Sequence, residues 1–219
     1  MAELEMEVEL KYAATQAALD TLGVARELGP AELGETLVND ETDRYLDTVD
    51  RRLHAAAWAC RLRTRRVAGE ARTFVSLKGP AAAVAGALHR RPELEGPATD
   101  DLDPVHWPPS AARDLVDRLR DGGGLVEFLR LTQRRLERAV TIDGARIGTL
   151  SLDDVVAHRG SQELGMLRAA ELELGAGDGE AWLPELAAAL ERVEGLATDH
   201  RSKLEHALAF AAAQPAVGT

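Results

Sequence analysis

The sequence predicts an α+β fold: an antiparallel β-barrel with a charged lumen and helices packed on its outside. Three observations predict it. Residues 3–12 alternate strictly, with Glu3, Glu5, Glu7, Glu9 and Lys11 on one face and Leu4, Met6, Val8, Leu10 and Tyr12 on the other. Arg61, Arg63 and Arg65 share one face of a second strand whose opposite face carries Trp58, Cys60 and Leu62. Late in the chain, Glu171 and Glu173 alternate with Leu172 and Leu174. Strands with one wholly charged and one apolar face describe a barrel inverted relative to ordinary small barrels, its polar side turned inward.

The remaining elements follow in chain order. Residues 15–28 read as an amphipathic helix with Ala18, Leu19 and Leu22 on one side, ended by Gly29-Pro30. A Gly/Glu-rich loop is expected next, with Asp40, Glu41 and Asp43 as solvated turn residues. Residues 42–50 and 55–66 read as a hairpin, and 71–78 as a third strand closed by Gly79-Pro80. Residues 81–89 fit a short helix. The stretch 91–109 carries five prolines and several acids, which predicts irregular structure. Ser110 is placed to N-cap a helix reaching Asp121, with Ala111, Leu115 and Leu119 in period. Residues 125–143 return to extended structure, and Asp143-Gly144 turns the chain into a strand over 146–153. A strand over 167–174 ends in the glycine-rich stretch 175–179, and helices are expected over 182–194 and 202–213. Residues 1–213 thus read as one domain and 214–219 as a disordered tail.

Composition narrows the partners. The net charge of −11 would repel a nucleic-acid duplex if spread evenly, yet the arginines gather locally, at 61–72 and 130–138. Local basic sites in an acidic chain suit a small anion in a pocket. No apolar run is long enough to span a bilayer, so no membrane partner is expected. An acidic N-terminus and a single cysteine, Cys60, fit a cytoplasmic location. The six histidines lack ligand spacing, and no Walker-type phosphate loop or nucleophile elbow occurs.

Alternating glutamates impose an electrostatic condition. Neighbours on one strand face lie about 6.8 Å apart, and in an enclosed site each adjacent pair costs roughly 2 kcal/mol. Burial therefore needs a compensating cation, and Mg²⁺ or Mn²⁺ held by carboxylate oxygens would also recruit phosphate oxygens. Replacing Glu7 or Glu9 by glutamine is expected to relieve this repulsion while abolishing activity.

Glu7-Val8-Glu9-Leu10-Lys11 resembles the N-terminal Glu-x-Glu-x-Lys signature of the CYTH domains, or triphosphate tunnel metalloenzymes. Tyr45-Leu46-Asp47-Thr48, Leu53 and Arg61-Leu62-Arg63 resemble the second block of that family, and Val75-Ser76-Leu77-Lys78-Gly79-Pro80 its third. Leu152-Asp153, Glu171-Leu172-Glu173 and Ser202-Lys203 resemble the later ones. The resemblance implies an eight-stranded antiparallel β-barrel forming a tunnel. It implies a metal site of Glu7, Glu9 and Glu173 with Asp153 and Glu171 as further acids, and a catalytic set of Glu7, Glu9, Lys11, Glu171 and Glu173. Phosphates would be held by Lys11, Arg61, Arg63, Lys78, Arg130, Arg134 and Lys203. Which of Arg130, Arg134 and Arg135 faces the tunnel is left open, and Tyr45 is read either as an accessory group bonded to a tunnel lysine or as a buried structural residue.

The implied function is metal-dependent hydrolysis of inorganic tripolyphosphate or of a triphosphorylated small molecule such as thiamine triphosphate. The alternatives are an adenylate cyclase acting on ATP and a non-catalytic polyphosphate or nucleotide sensor. The expected cofactor is Mg²⁺ or Mn²⁺. The expected partner is the triphosphate compound, with a homodimer as an open alternative.

Overall fold

The computed structural model describes residues 5–67, 69–80, 86–175 and 178–214. The elements are β1 (Glu5–Ala14), α1 (Gln16–Val24), β2 (Glu27–Leu28), β3 (Ala31–Thr48), α2 (Arg52–Ala55), β4 (Ala59–Val67), β5 (Glu70–Lys78) and β6 (Leu88–Ala98). After a 3-10 turn (Pro104–His106) come α3 (Ala111–Arg120), β7 (Leu125–Ile142), β8 (Ala145–Arg159) and β9 (Gln162–Leu174). A second 3-10 turn (Asp178–Trp182) leads to α4 (Leu183–Glu191), β10 (Leu196–Thr198) and α5 (Lys203–Ala213). β1 pairs with both β6 and β9, so the order β1-β6-β5-β4-β3-β7-β8-β9 closes into a ring of eight antiparallel strands, as the sequence predicts. β2 and β10 pair with β3 and β1 at its rim. Among the described residues no helix is long and apolar enough to cross a membrane.

Side chains alternate across a strand, so closing the ring sorts each strand into an outer and an inner set. The outer set is apolar and covered by helices. Val8, Leu10, Leu150 and Leu172 pack with Leu19 and Leu22 of α1 and Leu186 and Leu190 of α4. Cys60, Leu62, Val75 and Leu77 pack with Trp107 and with Ala112 and Val116 of α3. Each fully buried leucine contributes about 1.5–3 kcal/mol. The inner set is apolar where Tyr45, Leu129, Leu131, Val155 and Ala157 meet Ala207 and Ala211 of α5. α5 opens with a capping box between Ser202 and Glu205, which fixes the backbone that carries Lys203.

Several elements depart from the sequence expectation, each for a physical reason. The expected loop after Gly29-Pro30 is the first part of β3, an 18-residue strand paired along its length with β7, whose second part is the strand predicted from residue 42. Its inner positions Asn39, Glu41, Asp43 and Tyr45 are all buried, so Glu41 and Asp43 are not solvated turn residues. α1 stops at Val24, short of residue 28. Arg138 of β7 reaches its end and donates Nη1 to the carbonyls of Leu22, Gly23 and Ala25 at 2.8, 3.3 and 2.5 Å, a cap supplied from a distant strand. The strand expected from residue 55 begins at Ala59, because the Asp47 carboxylate accepts the N–H groups of Leu53 and His54 and holds α2 in place. The proline-rich stretch expected to be irregular begins with β6. Pro92 sits where β6 changes partner from β1 to β5, and Pro97 sits next to its end, positions a ladder tolerates. Of the expected helix over 81–89, residues 81–85 lie outside the described residues and Leu88 and His89 belong to β6. Residues 215–219 of the expected tail also lie outside them.

Candidate active site

The inner face of the ring encloses a cavity of about 1030 Å³. β1 contributes Glu7, Glu9 and Lys11; β4 contributes Arg61, Arg63 and Arg65; β5 contributes Lys78; β9 contributes Glu171 and Glu173; α5 contributes Lys203. Tyr45 also lines it, at the edge of the inner apolar cluster, with its ring 6.4 Å from that of Phe128. Among the described residues no hydrogen bond joins Tyr45 to a lysine, which favours its structural reading.

A layer of buried acids lies behind the cations and aims them. Asp43 accepts a two-pronged bond from Arg63, Nε at 2.7 Å and Nη2 at 2.8 Å, and one from Arg61 Nη1 at 3.3 Å. Glu41 accepts from Arg65 Nε at 2.6 Å and pairs with Arg63 at 3.2 Å. Asp153 accepts from Arg135 Nε at 2.7 Å and Nη2 at 2.8 Å and from Lys203 Nζ at 2.7 Å. Two-pronged arginine–carboxylate bonds fix direction as well as charge. Arg61 Nε is buried without a hydrogen-bond partner.

The acids expected to serve a metal divide into two groups. Asp153 is fully buried, and its oxygens accept from Arg135 and Lys203, so in this structure it positions those cations. Glu171 faces the cavity but accepts from Lys203 at 2.5 Å and Arg135 at 3.2 Å. At the other end Glu7 and Glu9 lie two apart on β1, and Glu173 stands opposite Glu9 on β9. Burial alone would raise the Glu7 carboxyl, but Lys78 and Arg91 outweigh it and hold it down at about 2. Glu173 shifts the other way: its carboxyl is pushed up by enclosure and then by Glu7, with Glu93 and Glu9 adding to it and Lys78 opposing.

Among the described residues no three acidic, histidine or cysteine side chains stand grouped as a ready metal cage. The donor set nevertheless fits a hard divalent cation: three carboxylates, Glu7, Glu9 and Glu173, share one end of the cavity and offer the anionic oxygens such an ion takes. Glu173→Gln is accordingly expected to raise the Tm of the metal-free protein by roughly 2 °C while lowering metal-dependent activity, as read by thermal melts in EDTA and by phosphate release.

Arg130 and Arg134 do not reach the cavity. They fall on the outer parity of β7, where Arg130 donates to Glu127 at 2.8 Å and Arg134 lines an outer groove with Gln16 and Asp154. The inner parity carries Gln133, Arg135 and Glu137, so Arg135 is the basic residue that β7 supplies. Arg91, Glu93 and Glu95 of β6 also line the cavity and were missed in a segment read as irregular. Their alternation at 91, 93 and 95 repeats the pattern of β1 and could have revealed them. Glu41 and Asp43 alternate in the same way.

Comparisons with known proteins agree with this architecture. A protein from Hippeastrum, described as a candidate adenylyl cyclase with a dominant triphosphatase activity, superimposes with a TM-score of 0.65 at 20% identity, covering 93% of this chain and 95% of that one. A candidate adenylate cyclase from Bacillus halodurans gives 0.59 at 18% identity, with 92% and 97% covered. A Pyrococcus horikoshii protein gives 0.57 at 22%, with 93% and 97% covered. At such identities the likeness shows the fold alone, and a comparison with curated proteins returned no match. The CYTH domain model matches residues 5–208, nearly the whole length, and the chain therefore belongs to the CYTH domain family.

Proposed function

We propose that the chain is a metal-dependent triphosphatase that hydrolyses the terminal phosphoryl group of a triphosphate within the ring. The observation that carries the proposal is one cavity holding both a carboxylate end, Glu7, Glu9 and Glu173, and a cationic wall of Lys11, Arg61, Arg63, Lys78, Arg135 and Lys203. A cavity meant only to bind anions gains nothing from carboxylates that occupy its cations. Three buried acids behind the wall, Glu41, Asp43 and Asp153, already neutralise much of its charge. A bare triphosphate therefore lacks a sufficient counter-charge there, which supports a metal requirement.

Glu7, Glu9 and Glu173 would hold Mg²⁺ or Mn²⁺, which when bound supplies Lewis-acid stabilisation of charge on the phosphoryl oxygens. Arg61 and Arg63 offer planar forks to bridging and terminal phosphate oxygens, and Lys78, Lys11 and Lys203 act as point charges. A water oxygen bonds to the terminal phosphorus as the bridging P–O bond breaks. Its two protons end on the orthophosphate and on the pyrophosphate oxygen released. The residues of the wall contribute by position and electrostatics alone.

Tyr45 is the one aromatic side chain lining the cavity among the described residues, and it is only 7% exposed. A stacking platform for a nucleobase or thiamine ring is not supplied, so inorganic tripolyphosphate is the substrate this lining favours. Phosphate release from tripolyphosphate, thiamine triphosphate and ATP with Mg²⁺ or Mn²⁺, with cyclic AMP followed in parallel, tests the reading. Tripolyphosphate is expected to turn over fastest; cyclic AMP as the main product would establish a cyclase, and no product from any substrate would leave a binding protein. Lys78→Ala is expected to raise the KM for tripolyphosphate about tenfold with a smaller change in kcat, the loss of one charge-assisted phosphate contact.

A further inference from the structure

Resting on this function, we infer that Arg91 is a phosphate-positioning residue held in reserve: it bridges Glu7 and Glu9 until these carboxylates ligate a divalent cation, then turns its guanidinium to the polyphosphate. Arg91 projects from β6 opposite Glu7. Its Nε donates to Glu7 Oε2 at 2.7 Å and its Nη2 to Glu9 Oε1 at 3.0 Å, so one planar group spans the two β1 acids. Two other cations of this end have alternatives. Lys78 pairs with Glu93 at 3.3 Å besides Glu7, and Lys11 lies 3.7 Å from Glu171 besides Glu9. Among the described residues the ion pairs of Arg91 are with Glu7 and Glu9 alone.

This arrangement sets up a competition. A divalent cation drawn to Glu7 and Glu9 meets a guanidinium already bonded to one oxygen of each, and two cations at that distance repel one another, so binding of the metal weakens the hold of the two acids on Arg91. Once released, Arg91 keeps its place on the cavity wall, with a side chain 15% exposed and its fork of donors open to a new acceptor. Phosphate oxygens are acceptors only and fit that fork. Arg91 thus opposes cation binding when no polyphosphate is present and strengthens polyphosphate binding when the cation is in place. By linkage each ligand then raises the affinity of the protein for the other through this residue.

Calorimetric titration of Mn²⁺ into wild type, Arg91→Gln and Arg91→Lys without phosphate, followed by the KM for tripolyphosphate at saturating Mn²⁺, tests the exchange. Arg91→Gln is expected to bind Mn²⁺ about tenfold more tightly and to raise the KM about tenfold. Arg91→Lys retains the charge but spans only one carboxylate, so it is expected to tighten Mn²⁺ by about threefold and to raise the KM as well. Unchanged or weaker Mn²⁺ binding in both variants, with wild type binding normally, overturns the inference and leaves the proposed function standing. Wild type that takes up no Mn²⁺ overturns both.

Discussion

Asp43→Asn is expected to lower stability by about 3–5 kcal/mol and the Tm by roughly 10 °C. Its carboxylate is wholly buried, and Arg63 and Arg61 converge on it. Burial pushes the Asp43 carboxyl up, but Arg61 and Arg63 together hold it well below the usual carboxylate range. Asparagine keeps the shape and loses the charge, leaving two enclosed guanidinium groups short of a counter-ion. The pH dependence follows with a definite sign. Asp43 and Glu7 are both depressed by folding, so their contribution is complete above the unfolded values, 3.8 and 4.5, and is lost as pH falls through the folded ones, about 2 for Glu7. Melts of wild type between pH 7 and 2 should show the Tm falling below pH ~4.5, with a shallower fall in Asp43→Asn. A variant melting within 2 °C of wild type at pH 7 would remove Asp43 from the account.

Glu9→Gln is expected to reduce kcat/KM for tripolyphosphate by about 10²–10³-fold with the fold retained. Glu9 is buried, opposite Glu173 in the β1–β9 ladder, and accepts from Lys11 at 2.9 Å and Arg91 at 3.0 Å. The amide keeps a carbonyl acceptor for one of these, while Lys11 retains Glu171 and Arg91 retains Glu7. What glutamine removes is the hard anionic oxygen that a divalent cation requires. The expected signature is a raised Mn²⁺ requirement together with the lower rate, and a far-UV spectrum like that of wild type. Turnover near the wild-type level would show that Glu9 serves the barrel and not the chemistry.

The sequence made the charged interior legible wherever alternation was unbroken. On β1, β4 and β9 a period of two separates Glu7, Glu9, Lys11, Arg61, Arg63, Glu171 and Glu173 from their apolar neighbours, and the structure directs the two sets to opposite sides of the ring. Where other residue chemistry overlies the period, the signal disappears. Pro92 and Pro97 hide β6 and with it Arg91, and glycine and glutamate content hides the first part of β3 and with it Glu41. On β7 three arginines in six residues obey both parities, and only the pairing with β8, Arg135 against Asp153 and Arg134 against Asp154, decides which one turns inward. The cap that Arg138 places on α1 joins residues more than 110 positions apart, beyond any local pattern.

The interior of the ring is the element on which the function rests, and a crystal structure with Mn²⁺ and tripolyphosphate, with data collected at the manganese edge, tests it most directly. The predicted result is an anomalous peak among Glu7, Glu9 and Glu173, with phosphate oxygens reaching Arg61, Arg63 and Lys78. Manganese and phosphate bound only on the outer surface, with Glu7 and Glu9 still joined by Arg91, would contradict it.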